Sequence, residues 1–123
     1  MARQIIFDPS VTNELKENRL QLALADANLN TTRENVIYVV TKAYYNALLA
    51  QAELDFALSD TVRAYEQFRT VLQRFIEKQI TAVEKKQAEL SLADSRFNAF
   101  KMQSRLKTAM SSLKFASGLP DEM

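Results

Sequence analysis

Few side chains of this chain are of types and spacings that do chemistry. Glu84, Glu89 and Asp94 lie close enough in sequence to suggest a carboxylate pair or a metal site. Lys85 and Lys86 stand among them at salt-bridge spacing, however, and the chain has no histidine and no cysteine. Zinc, thiol and imidazole chemistry are thereby excluded. The carboxylates read as a solvated, lysine-paired helix face. No nucleophile–base pair, phosphate loop or cofactor motif is present, so neither an enzyme nor a cofactor or metal protein is expected. Five cations, Arg69, Arg74, Lys78, Lys85 and Lys86, gather over a short stretch. They suit either a docking end or an ordinary solvated one. The aromatic residues Tyr38, Tyr44, Tyr45, Phe56, Phe68 and Phe75 recur at helical spacing, which favours packing over a ligand site.

The elements that must carry these residues follow from what is missing. Between Pro9 and Gly118 the 123-residue chain contains no glycine and no proline, the strongest local interrupters of helix. The run is rich in Ala, Leu, Gln, Glu, Lys and Arg, so helix is expected almost throughout. Asp8-Pro9 suits a helix start, with Asp as cap and Pro in the first helical position. Gly118 suits the left-handed residue after a helix end, with Leu119 folding back on Leu113 and Pro120 blocking continuation. Thr81-Ala82-Val83-Glu84 fits a capping box, in which hydroxyl and carboxylate satisfy each other's backbone amides. A long helix over about 9–76, a turn over 76–81 and a shorter helix over 81–117 are predicted, forming one domain. Thr31-Thr32-Arg33-Glu34 offers a competing restart, but a continuous first helix is expected.

Leu15, Leu22, Leu29, Val36, Ala43, Ala50, Ala57, Ala64 and Val71 recur every seven residues, and Leu92, Ala99, Leu106 and Leu113 keep the same step. A sustained heptad implies pairing with a partner helix. Reversal near Lys78 sets Ala64 by Leu92, Ala57 by Ala99, Ala50 by Leu106 and Ala43 by Leu113. The predicted fold is therefore all-α, a long antiparallel coiled-coil hairpin with unequal arms. Two more apolar rows, Val40, Ala47, Leu54, Phe68, Phe75 and Ile37, Tyr44, Leu58, Tyr65, Leu72, make the first helix too broad for a single seam. Neighbours on both sides are expected, as in the wall of a helical cylinder. The second helix runs out opposite about residue 40, leaving Leu15, Leu22, Leu29 and Val36 as a self-association stripe. At about 1.5 Å per residue the first helix would reach roughly 100 Å, longer than a compact domain of this size accommodates.

Several segments resemble the TolC-like outer membrane efflux proteins. Gln4-Ile5-Ile6-Phe7-Asp8 is similar to the family's strand-ending Q-x-x-F-D. The segment Val40-Thr41-Lys42-Ala43-Tyr44-Tyr45-Asn46-Ala47-Leu48-Leu49-Ala50 is similar to the family's V-x-x-A-Y-x-x-L-x-A segment. Arg74-Phe75 followed by Ile80-Thr81, then Ala88 and Leu90, resembles the family's tip turn and the helix after it. Leu113 through Gly118-Leu119-Pro120 resembles the helix end at the cylinder's equator. Lys78 stands where the family usually has glycine, and Gln79 replaces a usual apolar residue, so a differently shaped tip is expected.

The resemblance implies a periplasmic hairpin of the first repeat of an outer membrane protein, trimeric when intact and joined to the membrane only by strands absent here. Its tip, Arg74, Phe75, Lys78, Gln79, Ile80 and Thr81, would meet a periplasmic adaptor linked to an inner-membrane pump. The acidic gate of some members falls on the other hairpin. For this piece alone, a dimer covering the bare arm is expected. Two readings from other classes remain open: a soluble coiled-coil scaffold that dimerises through its long arm, and a helical-bundle adaptor or signalling module. The near balance of 16 basic and 15 acidic residues argues against nucleic acid. No apolar run approaches the roughly 20 residues of a membrane span. The first seven residues are too short and polar for a secretory signal, so an exported protein would be represented here by a processed or excised piece.

Overall fold

The computed structural model describes residues 9–119. It has two helices among the described residues, α1 (Pro9–Ile76) and α2 (Ala82–Ala116), of 68 and 35 residues. The fold is all-α, a helical hairpin with unequal arms. Asp8, the Gln4–Asp8 segment and Pro120 lie outside the described residues. Contacts divide the chain into two units, Met1–Val39 and Val40–Met123, with α1 contributing to both.

Within the first unit, α1 is unbroken through the competing restart. The Thr31 and Thr32 hydroxyls donate to the carbonyls of Ala27 and Asn28, at 2.9 and 2.8 Å. Each threonine is thereby satisfied by the preceding helical turn instead of capping a new one.

The second unit is the hairpin. Its turn is built by two complementary caps. At the end of α1 the Gln79 amide donates to the Arg74 carbonyl (2.9 Å) and the Lys78 amide to the Phe75 carbonyl (3.0 Å). These are the two bonds of a Schellman motif, which requires a left-handed residue at its centre. That residue is Lys78, with φ of 59°. The end of α2 repeats the motif: Leu119 bonds to Lys114 O, Gly118 to Phe115 O, and the left-handed residue is Gly118, with φ of 71°. Opposite the first cap, Thr81 is extended and opens α2 with the capping box expected: its hydroxyl accepts from the Glu84 amide (3.4 Å) and its amide donates to Glu84 Oε2 (3.0 Å).

The two caps differ in strain. A left-handed L-residue costs about 1–2 kcal/mol, which glycine avoids at about 0.5–1 kcal/mol of extra backbone entropy. Lys78→Gly is therefore expected to stabilise the hairpin by about 0.5–1 kcal/mol, the difference of these costs. A lower unfolding midpoint in urea for this variant would show that the lysine side chain contributes more than its backbone costs.

The buried centre of the seam between α1 and α2 is made of small residues on the α1 side. Ala47, Ala50 and Ala57 are buried on α1, and Leu92, Ser95 and Ala99 on α2. Two cross-links mark its register. The Thr61 hydroxyl lies 3.2 Å from Ser95 O, and 2.9 Å from Ala57 O in its own helix. Arg105 Nη1 lies 2.7 Å from Glu53 Oε2. Thr61–Ser95 falls between the Ala57–Ala99 and Ala64–Leu92 pairs, and Glu53–Arg105 between Ala50–Leu106 and Ala57–Ala99. This is the register that the heptads predict. The seam also takes in the second apolar row: Ala47 is buried, and Val40, Leu54, Phe68 and Phe75 are half-buried. Rows four residues apart are only about 40° apart around a helix, so one partner covers both.

Candidate functional site

Two surfaces carry the residues that the sequence singles out: the hairpin tip and the stripe on the first unit. At the tip the chain reversal brings residues 74–81 together. Arg74, Lys78, Gln79 and Thr81 are exposed, and Phe75 and Ile80 are half-buried. Phe75 lies beneath Lys85, whose Nζ is 4.9 Å from the ring centroid. This contact joins the last turn of α1 to the first turns of α2 by the attraction of a cation to a ring face. Ile80 is the one apolar residue of the loop between the helices. A polar clamp absent from the sequence reading closes the tip. Glu77 accepts from Gln73 Nε2 on one carboxylate oxygen (2.8 Å) and from Gln79 Nε2 on the other (2.9 Å). The Gln73–Glu77 spacing of four residues was a signal for half of it.

The five basic residues do not act as one group. Lys85 and Lys86 lie 3.8 and 2.8 Å from the Glu89 carboxylate. The Lys86 hydrogen bond, assisted by the charges of both lysines, holds the Glu89 carboxyl below its ordinary range, against the opposing effect of desolvation. Among the described residues, no carboxylate lies within salt-bridge distance of Arg69, Arg74 or Lys78, which form the cationic end of the hairpin. The carboxylates divide in the same way. Glu84 belongs to the cap and Glu89 to the lysine pair, while Asp94 borders an open groove with Asp60, Ser91 and Asn98. Among the described residues no cluster of acidic groups has metal-binding spacing.

The aromatic residues expected to pack do so only in part. Phe68 and Phe75 are half-buried at the seam, but Tyr38, Tyr44, Tyr45 and Phe56 are exposed. The seam on α1 turns toward α2 the two rows that hold Ala50 and Ala47, and these four residues lie on other rows. Tyr44 and Tyr45 touch edge to face, with centroids 5.7 Å apart. The third apolar row is open as well: Tyr44, Leu58 and Tyr65 are exposed and Leu72 is half-buried. On α2, Val83, Leu90, Phe97 and Phe100 are exposed at successive spacings of seven, seven and three residues, away from Leu92, Ser95 and Ala99. The hairpin thus has a closed seam and an uncovered apolar row on each helix.

In the first unit, Leu15, Leu22, Leu29 and Val36 are 56, 69, 68 and 54% exposed. Leu20 and Leu24 are also exposed but lie off this row. No described helix is long and apolar enough to cross a membrane. No protein-family model, curated protein or solved structure matches this chain.

Proposed function

We propose that this chain is a helical wall segment, the periplasmic hairpin of a TolC-like outer membrane efflux or secretion channel, whose tip engages a periplasmic adaptor. The observation that carries the reading is the pair of open apolar rows beside a closed seam. Tyr44, Leu58 and Tyr65 on α1, and Leu90, Phe97 and Phe100 on α2, are exposed together. A hairpin that worked alone would have no use for them, whereas one standing between neighbours buries both. The motif series from Val40 to Gly118 supports the family, and the unpaired cations Arg69, Arg74 and Lys78 support an acidic or polar docking partner at the tip. The role is passive: the side chains line, seal and dock, and no bond is made or broken.

The reading is tested in the intact protein in its own cells. Charge reversal at Arg74 and Lys78 (R74E with K78E) is expected to weaken export and drug resistance without lowering the protein's abundance. Unchanged resistance, with normal amounts of protein in the outer membrane, would overturn docking through the tip.

A second reading has its own observation. The exposed heptad row Leu15, Leu22, Leu29 and Val36 would serve a soluble scaffold that dimerises through its long arm.

A further inference from the structure

The row Leu15, Leu22, Leu29, Val36 is half of a two-row stripe. Val11, Asn18, Ala25, Thr32 and Val39 alternate with it at steps of four and three residues, the a/d pattern of a coiled-coil seam. α1 is helical through the whole run, and all nine residues are exposed. We infer that this stripe pairs with the same stripe of a second copy of the chain, antiparallel, with Leu22 facing the partner's Ala25. The inference supplies the geometry of the scaffold reading and does not depend on the channel reading.

Side-chain volume selects the direction. In an antiparallel pair each a position meets a d position. Leu15 then meets the partner's Thr32, Leu22 the partner's Ala25, Leu29 the partner's Asn18, and Val36 the partner's Val11. The three leucine layers each combine a large residue with a smaller one, so the helix axes keep an even separation. A parallel pair in register would stack Leu on Leu, then Asn on Asn, Ala on Ala and Thr on Thr, alternately thick and thin. The hairpin's own seam follows the first rule, with its Ala-rich row on α1 against Leu92 and Leu106 on α2. The Asn18 layer alone favours the parallel form, in which two amides bond to each other.

Charge selects the register. Beside the stripe runs a row of Arg19, Asp26 and Arg33, and in antiparallel coiled coils such flanking rows face each other. With Leu22 on the partner's Ala25, Arg19 faces the partner's Asp26, and symmetry repeats the pair. Sliding one heptad toward greater overlap sets Arg19 against the partner's Arg33 and Asp26 against the partner's Asp26. Sliding one heptad the other way sets Arg19 against the partner's Arg19. Only one of the three registers joins opposite charges.

The test uses the whole chain. Sedimentation equilibrium is expected to give twice the 14.0 kDa mass of one chain. R19D should weaken the dimer by about tenfold or more, because two attractive contacts become repulsive. R19D combined with D26R should restore it, while circular dichroism shows the same helix content in all three proteins. The direction is read by cross-linking, since the chain has no cysteine of its own. An oxidised mixture of N18C and L29C chains should give the mixed dimer, and N18C alone should not link. A chain that stays monomeric at high concentration would overturn the inference and the scaffold reading, leaving the channel reading to its export assay. Efficient N18C self-linking, or failure of the charge swap to rescue, would overturn the antiparallel register.

Discussion

Ala57→Leu is expected to destabilise the hairpin by about 1–3 kcal/mol, the range for overpacking a close-fitted site. Ala57 is 1% exposed, Ala50 3% and Ala99 8%, and no large side chain of the described residues is fully buried. On the α1 side the buried seam is therefore made of methyl groups, against which α2 sets Leu92 and Ala99. A leucine at 57 has no cavity to enter. It must adopt a poor rotamer or push α2 away, and separation strips the Thr61–Ser95 contact and exposes Leu92. Ala52→Leu is the control: the same change on an exposed position of the same helix should stay within about 0.5 kcal/mol. Urea unfolding followed by circular dichroism separates the two. Equal midpoints for A57L and A52L would mean that the helices are not in close contact at Ala57.

The second large effect is expected at the cross-helix ion pair. Arg105→Glu should cost about 1–2 kcal/mol, and the exchange E53R/R105E should recover most of it. The Arg105 side chain is 57% exposed and that of Glu53 is 31% exposed, so solvent screens the attraction and keeps the figure modest. Glu53 Oε2 is nonetheless shielded from solvent and has Arg105 as an ionic neighbour without an aligned hydrogen bond. A second carboxylate placed there would face a charge that cannot turn fully to water. The destabilisation should shrink as salt is raised. The exchange also tests the register, because it rescues only if the two positions face each other. A double variant no more stable than R105E would place them apart.

Much of the hairpin was legible in the sequence because its rules are local. The Thr81–Glu84 box, the left-handed Gly118 and the heptad rows depend on residues within one or two helical turns of each other. The register was legible for a related reason: two independent seven-residue repeats admit few ways to pair once the turn is placed. Lys78 was visible as a lysine in a position suited to glycine, but its φ of 59° was not. The Schellman bonds of Arg74 and Phe75 impose it. The Glu77 clamp was half legible, from Gln73; its other arm, Gln79, lies beyond the helix end where spacing rules stop.

The candidate surfaces divide similarly. The exposed cations of the tip and the Leu15–Val36 row follow from the sequence pattern. The pairing of Lys85 and Lys86 with Glu89 follows from their spacing as well, but the seat of Lys85 on the Phe75 ring does not, because the way the chain reverses brings the two together. By itself, then, the sequence determined two helices, their caps, the place of the turn and the pairing of alanine rows with leucine rows. These are set by backbone propensity and by side chains a few residues apart. Only the tertiary structure decided that α2 covers the Val40–Phe75 row together with the alanine row and leaves Tyr44, Leu58 and Tyr65 open. That choice depends on how closely two helix axes can approach, and the methyl groups of Ala47, Ala50, Ala57 and Ala99 set the distance only when both helices are present.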